Sequence, residues 1–296
     1  MKIYIGICLS KNNYKFLHKF LNSITKLYKF NNYNTKYVFI VEKKNFKFKD
    51  LIIKLLKSED YEFIWHNNSN IPQSRNLFLK FIRKRKSMYS GFLDDDCTIN
   101  KNWLVNMIKF IKHSKSDILG GEQNHEAKNN FYKKLFNLLE PNYKHGQRVK
   151  WIATNNAFFK SRVIKCTSLV FDNYLKKIGG SDQLFFKELV KLNFVCKWNS
   201  LSKVKESRHI DREKIKWFLK RNFRYGYSGN YIDKKVYGSA KGILIGIFKI
   251  LYQLIISLLS TALFFNSKYF FNSIFLISRL LGRIFAISGY KFKKYI

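Results

Sequence analysis

Three adjacent carboxylates, Asp94, Asp95 and Asp96, are the sharpest chemical feature of this chain. They follow the apolar run YSGFL at 89–93, in a protein of formal net charge +37 with 56 Lys+Arg against 19 Asp+Glu. Packed side by side, such groups repel one another strongly unless a cation is present. Alternate side chains of an extended or turning segment point the same way, so Asp94 and Asp96 can face one ligand while Asp95 turns elsewhere. A few carboxylate oxygens suit Mg2+ or Mn2+ shared with substrate phosphates. The alternative is an acidic turn capping a helix that begins near Asn100, for which one carboxylate suffices. A second polar strand end is Glu42, which closes the apolar run YVFIV at 37–41.

The elements that must position these groups can be read from apolar spacing. Short continuous apolar runs at 3–9, 37–41, 61–65 and 89–93 have the character of buried strands. Between them, helical spacing recurs from Phe16 to Tyr28, over 50–57, and from Pro72 to about Arg85, with the proline in the first turn where its missing N–H costs nothing. This alternation predicts an α/β fold: a Rossmann-like, mostly parallel sheet flanked by helices. Such sheets take ligands beyond the carboxyl ends of their strands, where both Glu42 and the triplet fall. Further along, 103–111 reads as a helix, and 117–122 and 151–159 as strands. Gly179-Gly180-Ser181-Asp182 is a turn opening a helix, 194–198 is strand-like, and a basic helical stretch runs from Asp211 to about Tyr227.

Composition bounds what remains. A chain of 296 residues that is 46% hydrophobic and 18% aromatic is folded, and 14 Gly with 2 Pro exclude collagen-like or Pro-rich architectures. Cys8, Cys97, Cys166 and Cys196 form no CxxC pair, so reduced thiols in a cytosolic compartment are expected. The N-terminal apolar run is too short for a signal peptide and reads as a first strand. The positive charge has three readings: nucleic acid, an anionic membrane surface, or a general Lys bias. Its distribution favours the membrane, because 234–296 carries ten bases and no acid while being the most apolar part of the chain. Within it, 242–265 is nearly all apolar. The stretch 269–287 carries Arg279 and Arg283 four residues apart, hence on one helical face. An in-plane or re-entrant helix pair is expected, with a true span or packing onto the domain as alternatives.

In order along the chain, the segments ICLSKNN, IPQSRN, FLDDDCTINKNWL, ATNNAFFKSRVI, FDNYLKKIGGSDQLFF and KESRHIDREKIKWFLKRNFRYG resemble the motifs of the family 2 glycosyltransferases of GT-A fold. Those enzymes use nucleotide sugars and invert the anomeric centre. The resemblance runs from residue 3 to about 226. It implies that Asp96, with Asp94, holds a divalent cation (Mn2+ or Mg2+) and that Asp94 also contacts the nucleotide. It further implies nucleotide or donor contacts for Ser10, Glu42, Arg75, Asp95, Asn156, Arg221 and Arg224. Asp182 would be the catalytic base that takes the proton of the acceptor hydroxyl, its alternative being an N-cap. Ser181 stands where the family has Glu. For Glu42 the alternative is a solvated strand-end charge, and for Asn156 a strand-edge residue with ordinary backbone contacts. Arg221 and Arg224, on one helix face with Trp217, are either near the diphosphate or acceptor or part of a basic, membrane-facing helix. His209 is a candidate further metal contact.

The expected organisation is a nucleotide-sugar-binding half at 1–98, an acceptor-binding and catalytic half at 99–233, and a membrane-associating helical tail at 234–296. The expected activity is sugar transfer from a nucleotide-diphosphate donor to a glycan or lipid-linked glycan in bacterial surface-polysaccharide assembly, at the cytoplasmic face of the inner membrane. The competing readings are a basic nucleic-acid-binding protein, disfavoured because no nucleic-acid motif is present, and an inactive glycosyltransferase-like membrane scaffold.

Overall fold

The computed structural model describes residues 1–9, 14–30, 32–57, 59–67, 70–207, 210–264 and 267–290. Ser10, His209 and the last three lysines lie outside the described residues. The strands are β1 (Lys2–Cys8), β2 (Asn34–Glu42), β3 (Asp60–His66), β4 (Tyr89–Asp94), β5 (Cys97–Ile99), β6 (Ile118–Glu126), β7 (Asn156–Lys160) and β8 (Cys196–Ser207). The helices are α1 (Tyr14–Ile24), α2 (Phe48–Leu55), α3 (Ile71–Arg83), α4 (Trp103–His113), α5 (Asn130–Asn137), α6 (Arg162–Lys165), α7 (Ser181–Lys191), α8 (Ile215–Tyr237), α9 (Ser239–Phe264) and α10 (Ser267–Ile287). Two compact units result. One comprises Met1–Asn124, Asn142–Phe171 and Phe185–Ser207; the other comprises His125–Pro141, Asp172–Leu184 and Arg208–Ile296.

The first unit is built on one sheet of order β3-β2-β1-β4-β7-β6-β8-β5. The first four strands in that order are mutually parallel, as the alternation predicts, and β7 turns antiparallel against β4. Both sheet faces are covered, which is why β1 reads as a continuous apolar run. Ile3, Ile5 and Ile7 pack with Phe20 and Leu21 of α1, Ile52 of α2 and Met107 of α4. Tyr4, Val38 and Ile40 pack on the other face with Phe78 and Ile82 of α3.

Among the differences from the sequence expectation, three concern β7, β8 and β5 of the first unit. Strand β7 starts only at Asn156, because Thr154 and Asn155 interrupt the apolar run at 151–159. Strand β8 extends through Ser207 rather than stopping near 198; Lys203 and Lys205 are exposed while Val204 between them is buried, a half-buried alternation with little apolar content. The short β5 pairs antiparallel with β8 and separates the carboxylate triplet from α4, whose N-cap Asn102 makes no side-chain cap. The triplet therefore does not cap that helix.

The second unit is helical. Leu135 and Phe136 of α5 pack with Phe218 of α8 and Phe275 of α10. Helices α8 and α10 meet backbone to backbone: a Cβ on Gly226 would strike the Arg279 carbonyl, and one on Gly282 the Phe223 carbonyl. The segments Ser239–Leu263 and Ser267–Ile287 are each long and apolar enough to cross a membrane by length and composition. The face carrying Arg279 and Arg283 is not the outward face that an in-plane helix needs. Arg283 is 4% exposed and ion-paired with Asp233 of α8 at 2.5 Å. Arg279 donates to the Asn222 side-chain carbonyl of α8 at 2.7 Å. What faces outward is apolar: Leu244, Phe248, Ile255 and Leu259 on α9, and Ile277, Leu281 and Ile284 on α10.

Candidate active site

Four parallel strands end together, and the polar groups of the first unit collect there. In register, Cys8 at the end of β1 lies opposite Asp94 on β4, and Glu42 at the end of β2 lies opposite His66 on β3. Helix α3 starts just beyond these ends. Asn70 caps it by accepting the Gln73 N–H at 2.9 Å, and Pro72 occupies the first turn. The helix thereby brings Arg75 to 4.0 Å from Asp94 and Ser74 to 3.3 Å from the His66 ring.

Arg75 is held from below. Its guanidinium lies 5.5 Å from the centroid of Phe171, whose backbone is clasped by Asn76: the Phe171 N–H donates to Oδ1 at 2.7 Å and Nδ2 donates to the carbonyl at 2.9 Å. The Phe171 ring also stacks on Phe185 at 4.2 Å. The IPQSRN segment thus supplies a charged group and its own support.

The carboxylate triplet divides by exposure as strand alternation requires. Asp95 is 4% exposed, whereas Asp94 and Asp96 are partly exposed. Asp94 ends β4, and the turn at Asp96 is tied to the end of β8 by the Ser207 N–H donating to the Asp96 carbonyl at 2.9 Å. Among the described residues no three His, Cys, Asp or Glu side chains converge on one point. Two outward carboxylates from one turn are the donor set of a Mg2+ or Mn2+ ion that completes its shell with water and phosphate oxygens. Such an ion fits Asp94 and Asp96 by chemistry. Glu42 is 8% exposed and ion-paired with Lys44 at 2.5 Å, so it is a shielded charge rather than a solvated one.

Cys8 belongs to this cluster, which the sequence did not suggest. Burial pushes its thiol up to about 12; Arg75 opposes that, and Asp94 and Asp95 add to it. His66 was also missed. The available signal was its place as the last residue of the third strand, level with Glu42.

Asn156 has a different environment. It is 1% exposed and its amide is fully engaged: it accepts from Trp103 Nε1 at 2.7 Å and donates to the carbonyls of Glu122 at 3.0 Å and Ser202 at 2.9 Å. One side chain ties α4, β6, β7 and β8 together.

The remaining site candidates belong to the second unit. Gly179 and Gly180 have φ of 79° and 86°, a left-handed pair that glycine adopts without strain. The Gly180 carbonyl accepts the Leu184 N–H at 3.1 Å, so Gly180 occupies the N-cap position. Asp182 therefore sits inside the first turn of α7, partly exposed, and its Oδ1 accepts the Gln183 N–H at 2.9 Å. On α8, Arg221 is sandwiched by Trp217 at 5.6 Å and Tyr225 at 4.9 Å, and Arg224 is 8% exposed.

Comparison with known proteins agrees with this geometry. The model of the family described as glycosyl transferase family 2 matches residues 7–170, more than half of the chain. Comparison with curated proteins gives no match. Among solved structures, S. aureus TarS 1–349 in complex with UDP-GlcNAc is similar at 12% identity and a TM-score of 0.56, over 99% of this chain and 93% of that one. The mannosyltransferase PcManGT from Pyrobaculum calidifontis, in complex with GDP-Man and Mn2+, is similar at 10% identity and 0.65, over 98% and 88%. A longer TarS structure is matched at 16% identity and 0.51 over 81% of this chain, which spans only 44% of that one. At these identities the structural likeness establishes the fold, and the family model establishes the membership. The chain belongs to glycosyl transferase family 2 and is a glycosyltransferase of GT-A fold.

Proposed function

We propose that the protein transfers a sugar, with inversion at the anomeric carbon, from a nucleotide-diphosphate donor to a glycan or lipid-linked glycan of bacterial surface-polysaccharide assembly, at the cytoplasmic face of a membrane. The observation that carries this reading is the gathering of Glu42, Arg75, Asp94 and Asp96 beyond four parallel strand ends in a chain of this family. The complexes of TarS with UDP-GlcNAc and of PcManGT with GDP-Man and Mn2+ support a nucleotide-sugar donor and a divalent cation. The outward apolar faces of α9 and α10 support the membrane partner.

When bound by Asp96 and Asp94, Mg2+ or Mn2+ supplies positive charge to the phosphates of the departing nucleoside diphosphate. Arg75, fixed between Asp94 and the Phe171 ring, adds a preorganised charge that needs no reorientation as the leaving group develops. Glu42, shielded by Lys44, is available to accept from the nucleotide base. Asp182 accepts the proton of the acceptor hydroxyl as that oxygen attacks the anomeric carbon, and the proton remains on its carboxyl.

A thermal-shift screen of nucleoside diphosphates with and without Mn2+ tests the reading. One nucleotide with Mn2+ is expected to stabilise the protein, since a ligand that binds only the folded state raises stability by mass action. Asp96→Ala should lose the Mn2+-dependent part of that shift. The absence of a shift with every nucleotide would overturn the proposal.

A further inference from the structure

Strand β3 lies at one edge of the sheet of the first unit. It pairs in parallel with β2 on one side and, among the described residues, with no strand on the other. An outer row of backbone N–H and C=O groups is a template for a further strand, which proteins ordinarily blunt with lysine, proline, a bulge or a very short strand. β3 has none of these. It reads Asp60-Tyr61-Glu62-Phe63-Ile64-Trp65-His66 and pairs one to one with β2 from Lys36 to Glu42, so no bulge turns it away. The opposite edge, β5, is only three residues long. From Tyr61 to His66 every residue of β3 is half-buried, whereas the interiors of β1 and β4 are fully buried. Tyr61, Phe63 and Trp65 share one face and form a contiguous row, with ring centroids 5.6 Å and 5.4 Å apart. Phe46, 55% exposed, continues the row at 5.5 Å from Trp65. Half-covered aromatic rings of this kind are characteristic of protein interfaces.

We propose that β3 pairs antiparallel with β3 of a second copy of this chain, about a twofold axis at Phe63, so that two sheets join into one. This concerns assembly and does not rest on the glycosyl-transfer reading. The choice of occupant follows from the strand's own symmetry. Pairing centred on Phe63 sets Phe63 opposite itself, Tyr61 opposite Trp65, and Asp60 opposite His66. Each aromatic then meets an aromatic on the same face, and no two like charges stand directly opposite. A register shifted by one residue would set Phe63 against Ile64 and Trp65 against Glu62, and lose that match. Such self-complementarity is what an isologous contact requires. Charge agrees. Two copies of a protein of net charge +37 repel one another and approach most easily where charge is locally balanced. The edge is such a place: Lys36 lies 3.2 Å from Asp60 and 3.7 Å from Glu62, and Arg85 lies 3.3 Å from Glu62.

The test uses the full chain in detergent, with the exposed thiol of Cys166 removed as Cys166→Ser. Phe63→Cys, Tyr61→Cys and Trp65→Cys are made singly in that background and oxidised with copper phenanthroline. Residues directly opposite in an antiparallel pair have Cα atoms about 4.5–5.5 Å apart, within reach of a disulfide. Phe63→Cys should cross-link to itself about 10-fold more than Tyr61→Cys or Trp65→Cys alone, and mixing the last two should restore a cross-link between them. Wild-type protein should sediment as a dimer. Its outward β3 amides should exchange about 10-fold faster once diluted to monomer, a reading that stands even where a cysteine variant fails to fold. A wild-type monomer would overturn the proposal. So would equal cross-linking by the three single variants, which means random collision. A dimer whose β3 amides exchange as fast as the monomer's would place the contact elsewhere, on a surface such as the apolar tail, and overturn it as well.

Discussion

Replacing Asn156 by alanine separates two roles for that residue, a donor contact and a joint of the scaffold. The side chain is 1% exposed and makes three hydrogen bonds: from Trp103 Nε1 at 2.7 Å, and to the carbonyls of Glu122 at 3.0 Å and Ser202 at 2.9 Å. Alanine removes all three and strands a buried indole N–H. At roughly 1 kcal/mol per lost bond plus a desolvation penalty for the orphaned donor, the expected destabilisation is about 3–5 kcal/mol. With a urea slope of a few kcal/mol per molar, the unfolding midpoint should fall by roughly 1–2 M. Chemical denaturation followed by tryptophan fluorescence reads this directly, since Trp103 is the partner. Donor KM, measured on the fraction that remains folded, should change little. A midpoint shift below about 0.3 M together with a large rise in donor KM would refute the scaffold assignment and return Asn156 to the sugar site.

Three further outcomes are expected. Asp182→Asn should lower kcat by about 10²- to 10⁴-fold while leaving the nucleotide-dependent thermal shift unchanged, the signature of a lost general base. Burial raises the Asp117 carboxyl, but the Val195 N–H, Arg162 and Lys160 outweigh it and hold the pKa below the usual value, so the ionised form is favoured in the fold. Its contribution is complete above the ordinary aspartate pKa and is lost as pH falls through the lowered one; Asp117→Asn should therefore flatten the acid limb of a stability–pH profile below about pH 4. Asp233→Asn leaves the enclosed Arg283 without its 2.5 Å partner and should destabilise the helical unit by about 3–5 kcal/mol, seen as a lower melting transition in detergent.

The polar cluster beyond the strand ends was partly legible beforehand. Continuous apolar runs mark strands buried on both faces, and such strands in a parallel sheet must all end on the same side. Glu42 and Asp94 therefore fall on one side of the sheet by topology alone, and helix α3 adds Arg75 at 4.0 Å from Asp94. His66 and Cys8 escaped notice because neither belongs to a spacing pattern; each joins the cluster only by being the last residue of its strand. The polar half of β8 escaped for a related reason, since its ladder is held by backbone bonds while its side chains alternate between Lys203 or Lys205 outward and Val204 inward.

The tail shows the division between sequence and tertiary structure most clearly. Helical periodicity fixed that Arg279 and Arg283 share one face of α10, and apolar content fixed that the helix is long enough for a membrane. Neither could say what covers that face. An acid-free stretch looked like a basic surface, yet the carboxylate that answers Arg283 is Asp233, on a helix earlier in the chain. Periodicity is a local property, set by the rise and turn of one helix. Which face turns inward is decided by the partner it meets, and here close packing at Gly226 and Gly282 brings α8 against the arginines and leaves Ile277, Leu281 and Ile284 outside.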